Sequence, residues 1–185
     1  MRQSSSGHRS WLPRLGPEWY RGTARVLWTF TVEDRKTGWL NPECHSDWKP
    51  VALHAAFRFR VSLPVYVLMP DHLHLLCCGW SPASDQKSAT SFLRTYFLPG
   101  HHRWQNQPHD HVLRQKERER GALLSTAHYL LQNPVRAQCV STPEDWPYSG
   151  CIVPGYPRLH PCEEGFWEKF WRIHEKLEER GLKKT

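Results

Sequence analysis

Two short apolar runs stand almost back to back in the middle of the chain. Val65-Tyr66-Val67-Leu68-Met69 and His72-Leu73-His74-Leu75-Leu76-Cys77-Cys78 are separated only by Pro70-Asp71. Both runs have the β-branched, aromatic and aliphatic make-up of strands, and Pro-Asp marks a turn. So short a connection joins antiparallel neighbours, because parallel strands need a crossover of a dozen residues or more. Around this hairpin the sequence predicts a strand over Val26–Val32. A helical stretch opens at Pro42 and runs to Phe57, with a break or restart near Pro50. Further on come a helix over Asp85–Phe97 closed by Pro99-Gly100, a short strand over His111–Arg114, and a helix from Gly121 to about Asn133. An irregular segment, Thr142–Pro161, precedes a terminal helix, Phe166–Leu182. This order describes an α+β fold: a ferredoxin-like antiparallel sheet with helices on one face. The expected division is a loosely ordered arm over 1–18, one domain over 19–153, and a C-terminal extension with a terminal helix over 154–185.

Composition narrows the class of protein. The chain has 185 residues, 39% of them hydrophobic, with 10 Trp, so it buries a core and is not a disordered polymer. No run approaches the roughly 18 apolar residues of a membrane span, and the Ser-, Arg- and Pro-rich start lacks the apolar stretch of a secretory signal. A cytoplasmic protein is expected. The six cysteines show no CxxC pair, so they read as reduced, mostly buried thiols. With 25 Lys and Arg against 18 Asp and Glu, the formal charge is +7, which favours an anionic partner.

Three clusters of residues carry chemistry. In His72-Leu73-His74 the two imidazoles project from one sheet face while Leu73 points into the core, a spacing that can hold a divalent metal. A polar sheet face is the plainer explanation of HxH alone, and adding Cys78 from the same face would give a softer, zinc-type site. Tyr129 and Asn133 lie one helical turn apart, a phenol able to act as nucleophile beside an amide oxygen able to complete a hard-cation shell, with Arg136 in reach of a phosphate. Here the plainer explanation is a rim tyrosine and an N-cap, Asn133-Pro134, that ends the preceding helix. Tyr96 competes as nucleophile but has Gly100, not a polar partner, four residues on. In the alternating run Arg114–Arg120 only Arg114, at a strand end, is placed to face a ligand. There is no GxxxxGK[ST] or GxGxxG loop and no Ser-His-Asp constellation.

Four segments together resemble the REP-associated tyrosine transposases, a family of single-tyrosine HUH transposases. They are Val65–Leu76 with MPDHLHLL at its end, His109–Arg114, Tyr129–Ala137 (YLLQNPVRA), and Pro143–Ser149, in the family's order over roughly residues 20–153. The resemblance implies a ferredoxin-like core with the histidines on a central strand. It implies His72, His74 and Asn133 as ligands of Mg²⁺ or Mn²⁺, and selects Tyr129 over Tyr96 as nucleophile. The implied reaction is cleavage and rejoining of single-stranded, hairpin-associated DNA through a 5′-phosphotyrosine, with Arg114 and Arg136 as phosphate contacts. Trp104, Trp146 and Tyr148 are aromatic candidates for base stacking, with core burial the equally plain explanation of each. The family includes monomers and homodimers, and the implied setting is the bacterial nucleoid. The alternative reading is a host-adopted protein that binds hairpin DNA with little strand transfer. One departure is Gln138, where the family often has Gly, which is expected to change how that helix ends.

Overall fold

The computed structural model describes residues 15–97 and 101–182. Most of the expected N-terminal arm and the expected helix stop at Pro99-Gly100 lie outside them. Five strands, β1 (Arg25–Thr31), β2 (Val61–Met69), β3 (His72–Gly79), β4 (His109–Val112) and β5 (Ser149–Ile152), form one sheet in the order β4-β1-β3-β2-β5, every pair antiparallel. Helices α1 (Pro42–Arg58) and α2 (Gln86–Tyr96) complete the βαββαβ core. The β2–β3 hairpin is as expected, Met69 pairing with His72 across Pro70-Asp71. The predicted strand at His111–Arg114 lies two residues earlier, as β4.

Strand alternation sorts the core into two layers. Val26, Trp28, Phe30, Leu73, Leu75 and Cys77 face α1 and α2, meeting Trp48, Ala52, Ala55, Ala89 and Leu93. The other face carries Val65, Val67, Met69, Leu76 and Cys78, and packs against residues of α3 (Arg120–Leu131) and α5 (Phe166–Leu182). Helices on one face therefore describe only the βαββαβ core. The chain after β4 returns to cover the second face, which β3 demands because its later residues are buried on both sides. Leu123, Ala127 and Leu130 of α3 join Phe166, Phe170 and Trp171 of α5 in that layer. α5 thus covers the core rather than trailing from it.

Two prolines sit where local rules would exclude them. Pro50 lies inside an unbroken α1. It and Ser46, whose carbonyl loses its N–H partner, are both exposed, so water can satisfy that carbonyl and no restart is needed. Pro64 lies within β2, where the pairing with β3 shifts register between Ser62 and Val65. Such an irregularity tolerates a residue with no N–H and reverses the facing of later side chains, so Leu63 enters one layer and Val65 the other.

Candidate active site

The histidine pair opens β3, the central strand. His72 Nδ1 lies 2.5 Å from Asp71 Oδ1, and Asp71 also accepts from Arg35 at 2.8 Å. Partial burial works against the Asp71 carboxylate, but the hydrogen bonds from His72 and Arg35 more than offset it and hold the group below the usual carboxylate range. A carboxylate only accepts, so His72 carries its proton on Nδ1 and turns the Nε2 lone pair away from Asp71. On β1, Thr29 pairs directly with His74, and its hydroxyl lies 2.9 Å from His74 Nδ1. Burial, then the neighbouring His72 and Arg136, push the His74 pKa down to about 3, so its imidazole is neutral.

The two Nε2 atoms converge to 3.0 Å. One arrangement has His74 Nε2–H donating to His72, with the Thr29 hydroxyl donating to Nδ1. Rotating that hydroxyl into the acceptor role moves the proton to Nδ1 and leaves two lone pairs facing one point. With an amide oxygen added, the donor set suits a divalent cation of moderate hardness.

Cys78 does not complete a zinc site. It is four residues beyond His74, roughly 13 Å along the strand, and burial pushes its thiol up to about 12. Among the described residues no group of three His, Cys, Asp or Glu side chains could hold a metal. All six cysteines are free, with Cys77 and Cys78 buried and Cys139 exposed.

α3 crosses β2 on the histidine face and ends at Leu131; after Gln132 the chain resumes as a single turn, α4 (Asn133–Arg136). Asn133 is not an N-cap. Gln132 takes that position without a side-chain bond, and the Asn133 amide instead donates Nδ2 to the Leu130 carbonyl at 2.9 Å. Its Oδ1 accepts from Arg136 at 2.6 Å, and it makes no hydrogen bond to either histidine. The Tyr129 side chain is 58% exposed, and its hydroxyl has no hydrogen-bond partner among the described residues. Arg136 spreads over the Tyr129 ring, 3.8 Å from the centroid. Tyr96, by contrast, ends α2 on the opposite side of the sheet, packed on Phe92.

The α4 turn ends as a glycine would end it. Gln138 adopts φ 58°, and the Cys139 and Gln138 amides donate back to Pro134 and Val135 at 2.9 Å, a Schellman closure. The expected change of ending does not occur, because backbone hydrogen bonds outweigh the left-handed strain on Gln138.

The remaining candidates differ in their surroundings. Arg114 is exposed two residues past β4, its amide bonded to Glu117 at the start of a single 3-10 turn, Gln115–Arg118, and not at a strand end. Trp104 and Trp146 are core residues whose indoles donate to the Phe97 and Leu68 carbonyls, and Tyr148 packs on Trp146. Residues the sequence reading passed over include Thr29, Arg35 and Asp71. Asp71 was findable, being next to His72, but Thr29 lies 45 residues away and carries no local signal. His109 was missed too. It pairs with Thr29 in the same cross-strand row and is the least of the neighbours that lower the His74 pKa.

No family model matches the chain, and no curated protein does. Among solved structures, a REP-associated tyrosine transposase bound to a REP hairpin superimposes with a TM-score of 0.62 at 19% identity, over 76% of this chain and 81% of that one. The two share a fold. At that identity the likeness speaks for the sheet and its helices, and the chemistry rests on the residues above. Among the described residues no helix is long and apolar enough to cross a membrane.

Proposed function

We propose that the protein cleaves and rejoins single-stranded DNA beside a hairpin, with Tyr129 as nucleophile and His72, His74 and Asn133 as ligands of Mg²⁺ or Mn²⁺. The observation that carries this reading is the pair of convergent imidazole nitrogens, each backed at Nδ1 by its own partner, on the sheet face crossed by the tyrosine-bearing helix. The fold shared with a transposase solved on hairpin DNA supports the same class of substrate.

A bound divalent cation would neutralise charge on a non-bridging oxygen of the scissile phosphate. The chain's own residues supply the rest. Asp71 and Thr29 hold the imidazole rings in place, so ligation would require only the rotation of the Thr29 hydroxyl and the shift of the His74 proton to Nδ1. The exposed Tyr129 phenol loses its proton and forms an oxygen–phosphorus bond as the phosphorus–O3′ bond breaks, leaving a 5′-phosphotyrosine and a protonated 3′-hydroxyl. The phosphodiester's energy is conserved, so a 3′-hydroxyl can attack the phosphotyrosine and rejoin strands. Arg114 and Arg136 supply positive charge to the strand. Such an enzyme works on the nucleoid in the bacterial cytoplasm, as a monomer or a homodimer.

One observation favours the alternative of a hairpin-binding protein with little strand transfer: Asn133 Oδ1 is engaged by Arg136 and not turned to the histidines. A covalent-adduct gel decides between them. Wild type, Tyr129→Phe and Tyr96→Phe meet labelled hairpin-flanked single strands with Mn²⁺ or EDTA. A metal-dependent shifted band lost only in Tyr129→Phe is expected. A band surviving Tyr129→Phe overturns the nucleophile, and binding without any adduct favours the alternative.

A further inference from the structure

Arg136 touches both components of the tyrosine side of the site. Its guanidinium stacks on the Tyr129 ring at 3.8 Å, donates to the Tyr129 carbonyl at 3.3 Å, and donates to Asn133 Oδ1 at 2.6 Å. A planar fork can stack and donate in two directions at once, which a lysine ammonium cannot. Asn133 has no freedom to offer its oxygen elsewhere by an amide flip, because Nδ2 is committed to the Leu130 carbonyl. The oxygen read as a metal ligand is therefore already held by a positive charge, and two cations on one amide oxygen repel each other. That same charge also fixes the ring of the nucleophile.

We propose that Arg136 is a positioning residue that stands in for the metal at Asn133 Oδ1 and clamps the Tyr129 ring, so that cation binding expels the guanidinium and releases the nucleophile in one event. The inference rests on His72, His74 and Asn133 being the metal ligands, as argued above. It also gives Arg136 two successive partners: the amide oxygen before the metal arrives, and a phosphate of the incoming strand afterwards. Metal loading, nucleophile release and substrate binding are then coupled through one side chain.

The test is Mn²⁺ affinity without DNA, read from the free-ion electron paramagnetic resonance signal. Wild type, Arg136→Ala, Asn133→Ala, the double variant and His72→Ala are compared, with circular dichroism to confirm folding. Arg136 is exposed, so its truncation leaves the core intact. Competition for Oδ1 predicts that Arg136→Ala tightens Mn²⁺ about fivefold when Asn133 is present, the worth of one freed hydrogen bond. In the Asn133→Ala background only through-space repulsion remains, and tightening of about twofold or less is expected. Equal tightening in both backgrounds, or weakening by Arg136→Ala, overturns the proposal. If wild type and His72→Ala bind Mn²⁺ equally poorly, the metal-site reading itself fails and the inference falls with it. A second readout follows the ring, using 3-fluorotyrosine placed at position 129. Its ¹⁹F resonance should move on adding Mg²⁺ to wild type and should already be moved in Arg136→Ala. A resonance that ignores both changes overturns the clamp.

Discussion

Thr29→Val isolates the contribution of one hydroxyl to the histidine pair. Valine keeps the shape and β-branching of threonine, so β1 and its pairing with β3 persist. What disappears is the 2.9 Å contact to His74 Nδ1. The lost hydrogen bond contributes about 1 kcal/mol net, and the stranded, largely buried imidazole nitrogen raises the cost to about 1–2 kcal/mol. For a domain of this size that lowers the melting temperature by about 3–6 °C. Outer partners of metal-bound histidines change affinity by about 10–100-fold when removed. If the pair holds Mn²⁺ as proposed, the lower end applies, about tenfold weaker binding, because the contact joins neutral groups and His72 keeps its own support from Asp71. Mn²⁺ titration and thermal unfolding of wild type, Thr29→Val and Thr29→Ser measure both effects, the serine variant staying within about twofold of wild type because it keeps the hydroxyl. Destabilisation with unchanged Mn²⁺ affinity would refute the idea that Thr29 tunes the site, leaving it a strand-pairing residue. No change in either quantity would refute the hydrogen bond's role altogether.

Pro50→Ala should stabilise the protein by about 1–3 kcal/mol, read as a raised denaturant midpoint, since it restores the α1 hydrogen bond to Ser46 on an exposed face. Gln138→Gly should stabilise it by about 1 kcal/mol, because glycine adopts the φ of 58° at the α4 closure without strain; an unchanged or lowered midpoint would show that Gln138 is not strained there. Stability should fall on acidification. Burial, with Lys49 and His160 nearby, lowers the His45 pKa from its ordinary 6.5 to about 4. Below about pH 6.5 the unfolded chain therefore takes up a proton that the folded one refuses, and stability is lost progressively toward pH 4. Its share is on the order of 2 kcal/mol by pH 5. His45→Gln should flatten that dependence between pH 7 and 5, with the remaining slope carried in part by His74, whose pKa is lowered in the same direction.

Whereas Asn133 falls in the separate α4 turn and not on α3 with Tyr129, the hairpin, the facing of His72 and His74, and the extent of the terminal helix were legible in the chain. Each depends on a strand or helix period that nearby residues set for themselves. Which helix meets which face was not legible in this way. From spacing alone Tyr96 and Tyr129 are rival nucleophiles, and only the return of the chain over β2 after β4 puts α3 on the histidine side and leaves α2 behind the sheet. The same tertiary return buries Trp146 and makes the terminal helix part of the core, while Trp104 is buried in the opposite layer against Phe30, Trp39 and Phe97. The local rules that failed did so where a neighbour could offset them: exposure at Ser46 for Pro50, a register shift for Pro64, and a Schellman closure for Gln138. Thr29 holding His74 and Arg136 holding Asn133 differ in kind. The second is three residues long and readable once the turn is known, whereas the first spans two strands. Sequence periodicity thus determined which groups could do chemistry. Pairing and burial, which sum weak preferences across the whole chain, decided which of them lie on the same face of the sheet.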